Sequence, residues 1–251
     1  SGGTAGAGPR AAPGGGPWPK ITVVTPSFNQ GQFIEETIRS VLLQGYPNLE
    51  YLIVDGGSTD GTVDVIKRYE PWIDHWTSEA DRGQSHAINK GFERATGDVL
   101  GWLNSDDVLE PGALHAVGAA ARGREHDALM AIGDGRFVAP DGTEESYRKA
   151  DAYSVEDLLQ LYAGKFLCQP AVFFTAEALR QAGPVVEELV YTMDLDLWLR
   201  MRAVADAAYV DRPLAVLRRH DEAKTWANNY DAMLEAAQTL RRHDGVLPAL
   251  Q

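Results

Sequence analysis

The sequence predicts an α/β fold: a mostly parallel central sheet flanked by helices, then a mixed smaller sheet and C-terminal helices. Three observations carry this expectation. Short apolar, β-branched runs alternate with helical stripes through the first half of the chain. Strands separated by helices of that length pair in parallel through right-handed crossovers. Three of the runs end in polar segments, at residues 26–29, 55–57 and 104–107.

Taken in order, Ile21, Thr22, Val23, Val24 and Thr25 form a buried strand that stops at Pro26. Phe33, Ile34, Thr37, Ile38, Val41 and Leu42 make one helical stripe. Residues 49–54 are a second strand ending at Asp55-Gly56-Gly57, where Ser58, Thr59 and Asp60 offer N-cap oxygens to a helix over 62–69. Residues 73–77 are a third strand, and Ala87, Ile88, Gly91, Phe92 and Ala95 share one face of a third helix. Residues 99–103 are a fourth strand running into Asn104-Ser105-Asp106-Asp107, with a helix near 111–120 beyond it.

The second half is less regular. Short strands of mixed direction fall at 128–132, 135–138 and around 146–147. A capping pattern at Ser154 precedes Leu158, Leu159 and Leu161. A strand at 171–174, helices at 176–181 and 194–204, two short strands at 208–210 and 214–217, and an amphipathic helix over 226–242 complete the pattern.

Composition excludes several classes. The 251 residues, 44% hydrophobic, suffice for one large domain. A net charge of −13, from 23 basic and 36 acidic residues, leaves no basic stripe for nucleic acid. A phosphate bound here must meet backbone N–H groups, a few placed cations or a divalent metal. The single cysteine, Cys168, excludes an intrachain disulfide and reads as a small buried residue. No run of about 18 apolar residues and no secretory signal is present, so the expected setting is cytoplasmic. Residues 1–19, rich in Gly, Ala and Pro, read as a flexible linker or cloning remnant, with another domain beyond it as one option.

Four segments carry chemistry. Clustered acids in Asn104-Ser105-Asp106-Asp107 repel one another unless a cation joins them, and Mg²⁺ or Mn²⁺ with oxygen ligands fits that need. An Asx turn capping the next helix explains the same residues. Asp55-Gly56-Gly57-Ser58-Thr59-Asp60 lets a ligand approach the backbone closely, or is an ordinary strand-to-helix turn. Asp194 and Asp196 sit two apart at a helix start, where one can point into a cleft or both can complement the helix dipole. His220, after Arg218 and Arg219, is a metal ligand only where the fold brings it to the carboxylates.

In this order the segments resemble glycosyltransferase family 2, which has the GT-A fold with a Rossmann-like sheet. The matching stretches are Val24-Thr25-Pro26-Ser27-Phe28-Asn29, Val54 to Thr62, Asp81-Arg82-Gly83 with Ala87-Ile88-Asn89-Lys90-Gly91, Leu103 to Asp107, Asp194 to Arg200, and Arg219-His220. The resemblance implies an inverting, metal-dependent transfer of a sugar from a nucleotide diphosphate to an acceptor hydroxyl. A UDP-sugar is the first choice of donor, with dTDP and GDP as alternatives. Thr25, Pro26 and Asn29 would line the nucleotide pocket, and Asp55 would accept a hydrogen bond from the base. Arg82 and Gly83 would lie beside the diphosphate or base, with Asn89 close by. Asp106 and His220 would hold the Mn²⁺ or Mg²⁺, with Asn104, Ser105 and Asp107 around Asp106. Asp194 would be the general base, with Asp196 as the alternative, because Met193 stands where the family commonly has Glu.

The same resemblance divides residues 20–245, read as one domain, into a nucleotide-binding half (20–107), an acceptor half (108–225) and a final helix (226–245). It implies a glycan or lipid-linked glycan acceptor, contacted mainly by residues 153–169, and a role in cell-surface polysaccharide or glycoconjugate synthesis. Peripheral association with the inner face of the membrane belongs to the same expectation. A nucleotidyltransferase fits poorly, because residues 26–31 lack a Gly-rich basic loop, and the G-x-G-x-x-G of a dinucleotide enzyme is absent. A non-catalytic sugar-nucleotide or glycan-binding module is the alternative from another class.

Overall fold

The computed structural model describes residues 16–160, 167–220 and 229–244. The first half alternates β1 (Ile21–Ser27), α1 (Ile34–Leu42), β2 (Leu49–Asp55), α2 (Thr62–Tyr69), β3 (His75–Ser78), α3 (Gln84–Arg94) and β4 (Val99–Trp102). The second half adds β5 (Val108–Leu109), α4 (Ala113–Ala121), β6 (Leu129–Val138), β7 (Glu144–Arg148), α5 (Val155–Leu158), β8 (Val172–Thr175), α6 (Ala176–Ala182), α7 (Met193–Arg202), β9 (Asp206–Arg218) and α8 (Asn229–Asp244).

Strands β3, β2, β1 and β4 lie side by side and parallel. Antiparallel pairing of β8 with both β4 and β6 makes the mixed strands continuous with them. The resulting sheet runs β3-β2-β1-β4-β8-β6-β9-β5, with β7 on β6.

Alternate residues of the strands face opposite layers. Val23, Tyr51, Ile53, Leu129 and Ala131 pack with Ile34, Ile38 and Val41 of α1, Ile66 of α2, and Leu114 and Val117 of α4. Val24, Leu52, Leu100, Trp102, Met130 and Ile132 pack on the other face with Ile88 of α3 and Leu197, Trp198 and Met201 of α7. Burial on both faces is why β1, β2 and β4 read as continuous apolar runs.

Three details differ from the expectation. Strand β1 continues through Pro26 to Ser27. Its even-numbered residues bond towards β4, whose pairing ends at Val24↔Trp102, so the N–H that Pro26 lacks has no ladder partner to lose. The segments 128–132 and 135–138 are one strand, β6, and 208–210 and 214–217 are one strand, β9. The two run parallel from Leu129↔Asp206 to Val138↔Arg218, and register shifts around Asp134 absorb the breaks that looked like turns. The cap at Ser154 forms, its hydroxyl accepting from the Asp157 N–H at 3.1 Å, while Leu161 lies outside the described residues. So do residues 1–15 of the expected linker and 221–228, with Trp226.

Close approach of α3 to β1 sets the depth of the sheet end. A Cβ on Gly91 would lie 2.3 Å from Val24 Cγ1, so a glycine is needed for α3 to lie this near. Substituting Gly91→Ala is expected to cost about 1–3 kcal/mol through overpacking. A lower urea midpoint is the readout; an unchanged midpoint would mean α3 does not press on β1.

Candidate active site

The carboxyl ends of β1, β2 and β4 open into a cavity of about 1100 Å³. One wall comes from Pro26, Ser27, Phe28 and Gln30 after β1, and Gly56 and Gly57 after β2. Ala80, Asp81 and Gly83 before α3, and residues 104–107 after β4, continue it. The facing wall uses Leu158, Leu167, Gln169, residues 190–195, and Ala232, Met233 and Ala236 of α8.

Cross-bracing holds the first wall. Asn29, with φ of 52°, adopts the left-handed conformation that a short polar side chain tolerates. Its N–H donates to Ser58 Oγ at 2.7 Å, and its Oδ1 accepts from the Thr59 N–H at 2.9 Å. Asp60 accepts from the Gly31 N–H at 2.9 Å, tying the two loops again. Asp55 is fully buried, and its carboxylate accepts from the N–H groups of Gly57 and Ser58 and the hydroxyls of Ser58 and Ser78. A carboxylate with four donors shapes the Gly-Gly turn from beneath, and it is off the cavity wall. The wall carries Asp81 instead: its Oδ1 accepts from the Gly83 N–H at 2.8 Å, and its Oδ2 lies 2.9 Å from where a Cβ on Gly56 would stand.

Several other expected residues also stand behind the wall. Thr25 is buried, its hydroxyl 3.1 Å from that of Tyr51. Asn89 exchanges two hydrogen bonds with the backbone of Val185, donating at 2.9 Å and accepting at 3.0 Å, so its amide is spent on joining α3 to the loop before α7. Arg82 forms a two-point contact with Glu187 at 2.9 and 3.0 Å and does not line the cavity. Pro26, Gly83, Asn104, Ser105, Asp106 and Asp194 do line it.

Asn104 is clamped by two residues that carried no local signal in the sequence. Gln84 Nε2 donates to its Oδ1 at 2.7 Å, and its Nδ2 donates to Gln169 Oε1 at 3.1 Å. Gln169 in turn donates to the Trp102 carbonyl at 2.9 Å. The loop after β4 is therefore fixed from both halves of the chain. Beyond it, strand β9 delivers His220, whose Nε2 stands 3.0 Å from Asp106 Oδ2. The Arg218 Nε donates to the Asp106 carbonyl at 2.5 Å, and the Arg218 N–H donates to Asp107 Oδ1 at 3.2 Å. Burial pushes the Asp107 carboxyl well above the usual carboxylate range, and the Asp106 charge adds to this.

Asp194 and Asp196 have opposite surroundings. Asp196 is buried between Arg200, at 2.8 Å, and His243 Nε2, at 2.8 Å, and these partners outweigh burial and hold its pKa down. Asp194 faces the cavity, and its Oδ1 accepts from the Leu195 N–H at 2.7 Å. Burial pushes the Asp194 carboxyl up to about 6, and the Glu235 charge acts in the same direction. One turn after Asp194, Trp198 stacks on Trp102 with ring centres 5.2 Å apart, which anchors α7 to β4.

The family model for glycosyl transferase family 2 matches residues 22–183, more than half of the chain. The chain belongs to this family. Among relatives, an uncharacterized glycosyltransferase of Rickettsia typhi is 28% identical over 82% of this chain and 66% of its own length. The putative teichuronic acid biosynthesis glycosyltransferase TuaG of Bacillus subtilis is 44% identical over 36% of each chain. The chain thus spans about two thirds or less of the length of these curated relatives. S. aureus TarS in complex with UDP-GlcNAc superimposes with a TM-score of 0.68 at 17% identity, covering 89% of this chain and 66% of that one. The mannosyltransferase PcManGT of Pyrobaculum calidifontis, in complex with GDP-Man and Mn²⁺, gives 0.60 at 21%, covering 93% and 68%. The fold is GT-A.

The family 2 match ends before Asp194 and His220, so geometry is what assembles them with Asp106. The contrast between the two acids on α7 gives a direct check. Asp196→Asn is expected to cost about 1–3 kcal/mol, since it weakens two contacts made by a buried carboxylate. Because the folded-state pKa of Asp196 is lowered, this contribution is present above about pH 4 and closes as pH falls below it. Urea midpoints of the two proteins from pH 7 to 3 measure it; equal midpoints at pH 7 would remove the structural role.

Proposed function

We propose that this chain is an inverting glycosyltransferase that moves a sugar from a nucleotide diphosphate, a UDP-sugar first, onto an acceptor hydroxyl. The observation that carries the reading is one cavity lined both by Asp106, which His220 contacts from outside the lining, and by Asp194, an acid without a cationic partner among the described residues. Nucleotide sugars in the solved complexes of TarS and PcManGT support the donor class.

In this reading the base and ribose enter between the loops after β1 and β2. Phe28 offers an exposed ring there, Gly56 and Gly57 allow close approach, and the Asp81 carboxylate accepts from the base or ribose. The diphosphate then lies along residues 104–107. Asp106 and His220 suit a divalent ion by donor chemistry, one carboxylate oxygen facing one imidazole nitrogen, and the neighbouring Asp107 is an acid that a cation would relieve. Among the described residues no group of three or more His, Cys, Asp or Glu side chains could hold a metal ion, so in this reading most of the ion's ligands would be substrate oxygens and water. A Mn²⁺ or Mg²⁺ held there would neutralise the charge that develops on the leaving diphosphate.

In this reading Asp194 takes the acceptor proton as the hydroxyl attacks the far face of the sugar. A carboxyl held near 6 is a competent base at neutral pH, and one displacement inverts the anomeric centre. The apolar wall around Asp194, with exposed Val190 and Met233 at its rim, suits a glycan carried on an apolar group. Among the described residues no helix is long and apolar enough to cross a membrane. The teichuronic acid relative supports a place in cell-surface polysaccharide synthesis.

Two outcomes follow. Asp194→Asn should lower transfer by about 10²–10⁴-fold while UDP affinity stays within about twofold. In the parent protein the rate should fall as pH drops through about 6, where Asp194 takes up its proton. Normal turnover by the variant would sink the base assignment. Separately, Asp106→Ala should abolish the part of the UDP-induced rise in melting temperature that depends on Mn²⁺. An undiminished Mn²⁺-dependent rise would sink the metal assignment.

A further inference from the structure

Helix α8 lies beyond the matched family segment, yet it grips the start of the helix that carries Asp194. Glu235, Thr239 and His243 recur every four residues and so share one face of α8. Each makes a polar contact with the start of α7. The Glu235 carboxylate accepts from three consecutive backbone N–H groups, those of Val190 at 3.1 Å, Tyr191 at 2.7 Å and Thr192 at 2.8 Å, and from the Thr192 hydroxyl at 3.0 Å. The Thr239 hydroxyl stands 2.9 Å from that of Thr192, and His243 holds Asp196.

Thr192 is the N-cap of α7, but its side chain caps none of that helix's own N–H groups. The ordering is done instead from α8. Three successive N–H groups converging on one anion form a concave nest, and hydrogen bonds to a charged acceptor are the strong kind. Asp194 follows two residues later. Its carboxylate accepts from the adjacent backbone N–H of Leu195, so its place in the cavity is set by the path of the backbone through residues 190–195. The same helix presents Ala232, Met233 and Ala236 to the cavity, so its seating also closes the wall beside Asp194.

We propose that Glu235 is a positioning residue for Asp194: by clamping the backbone of residues 190–192, it holds the carboxylate of Asp194 where the acceptor hydroxyl must lie. The inference rests on the reading of Asp194 as the base. Removing the clamp leaves three donors to find new partners and lets the start of α7 shift, and a misplacement of 1 Å costs on the order of 10²-fold.

The test uses the full chain with Glu235→Ala, Glu235→Gln and Asp194→Asn, reading kcat, donor KM, melting temperature and pH profile. Glu235→Ala is expected to lower kcat by about 10- to 100-fold with donor KM within about twofold. Glu235→Gln keeps a carbonyl that accepts from the N–H groups and should recover part of this loss. The charged side chain that acts on Asp194 from a packed element is Glu235, the other influences being burial and two backbone N–H groups. The acid limb of the Glu235→Gln profile should therefore move to lower pH, a change that a merely structural role would not cause. Should Glu235→Ala fail to fold, Glu235→Gln decides by the same readouts. Parental kcat in Glu235→Ala, or an unmoved acid limb with parental kcat in Glu235→Gln where the alanine variant does not fold, beside an inactive Asp194→Asn, overturns the clamp alone. An active Asp194→Asn overturns the base reading, and the clamp falls with it.

Discussion

Parallel pairing of β1 with β2 on one side and β4 on the other governs everything the site contains. The register ends β1 and β2 together at Ser27↔Asp55 and ends β4 three residues earlier, at Val24↔Trp102, so the segment 104–107 after β4 opens beside the ends of the other two strands. Polar loops at a sheet end would splay apart without further ties. Here Asn29 and Asp60 bind the loops after β1 and β2 to each other, and Gln84 and Gln169 hold Asn104 after β4. Gly91 lets α3 lie close on β1, which brings Gly83 and Gln84 to the same rim.

The second half is arranged so that its chemistry meets the first. Strand β8 joins antiparallel to β4, and the long parallel pair β6–β9 then carries the chain back to Asp106 through His220. The stack of Trp198 on Trp102 sets α7, and with it Asp194, over β4. The result is a cavity whose walls carry five acids, Asp81, Asp106, Asp107, Glu145 and Asp194, against three arginines, Arg148, Arg218 and Arg219, in a chain of net charge −13. A diphosphate entering such a field must bring or meet compensating charge. Arg218 is turned to the Asp106 carbonyl and to Glu36, and Arg219 pairs with Glu145. The excess of acids over arginines on these walls is the physical argument for a divalent ion beside Asp106.

Legibility in the sequence followed locality. Apolar runs marked β1, β2 and β4, which are buried on both faces, and stripes marked their helices, and the sequence showed three strands ending in polar segments that the parallel topology brings together. Strands β6 and β9 read as broken because Gly133-Asp134-Gly135 and Arg212-Pro213 look like turns, whereas paired register shifts carry both strands through. Asp55 and Asn89 matched motif positions, but a motif does not reveal that a carboxylate or amide is already saturated. The Gln84–Asn104–Gln169 clamp spans 85 residues between its ends, from 84 to 169, and the Glu235 clamp joins residues more than 40 apart. Neither leaves a local pattern, because each depends on how separate helices and loops pack.

The central claim is that the strand-end cavity seats a nucleotide diphosphate against a cation held by Asp106 and His220. Crystals soaked with UDP and Mn²⁺, examined for the anomalous signal of manganese, test it most directly. The expected map has one strong peak within coordination distance of Asp106 Oδ2 and His220 Nε2, with the diphosphate along residues 104–107 and the base against Asp81. A nucleotide bound outside this cavity, or manganese bound away from both side chains, would contradict the account.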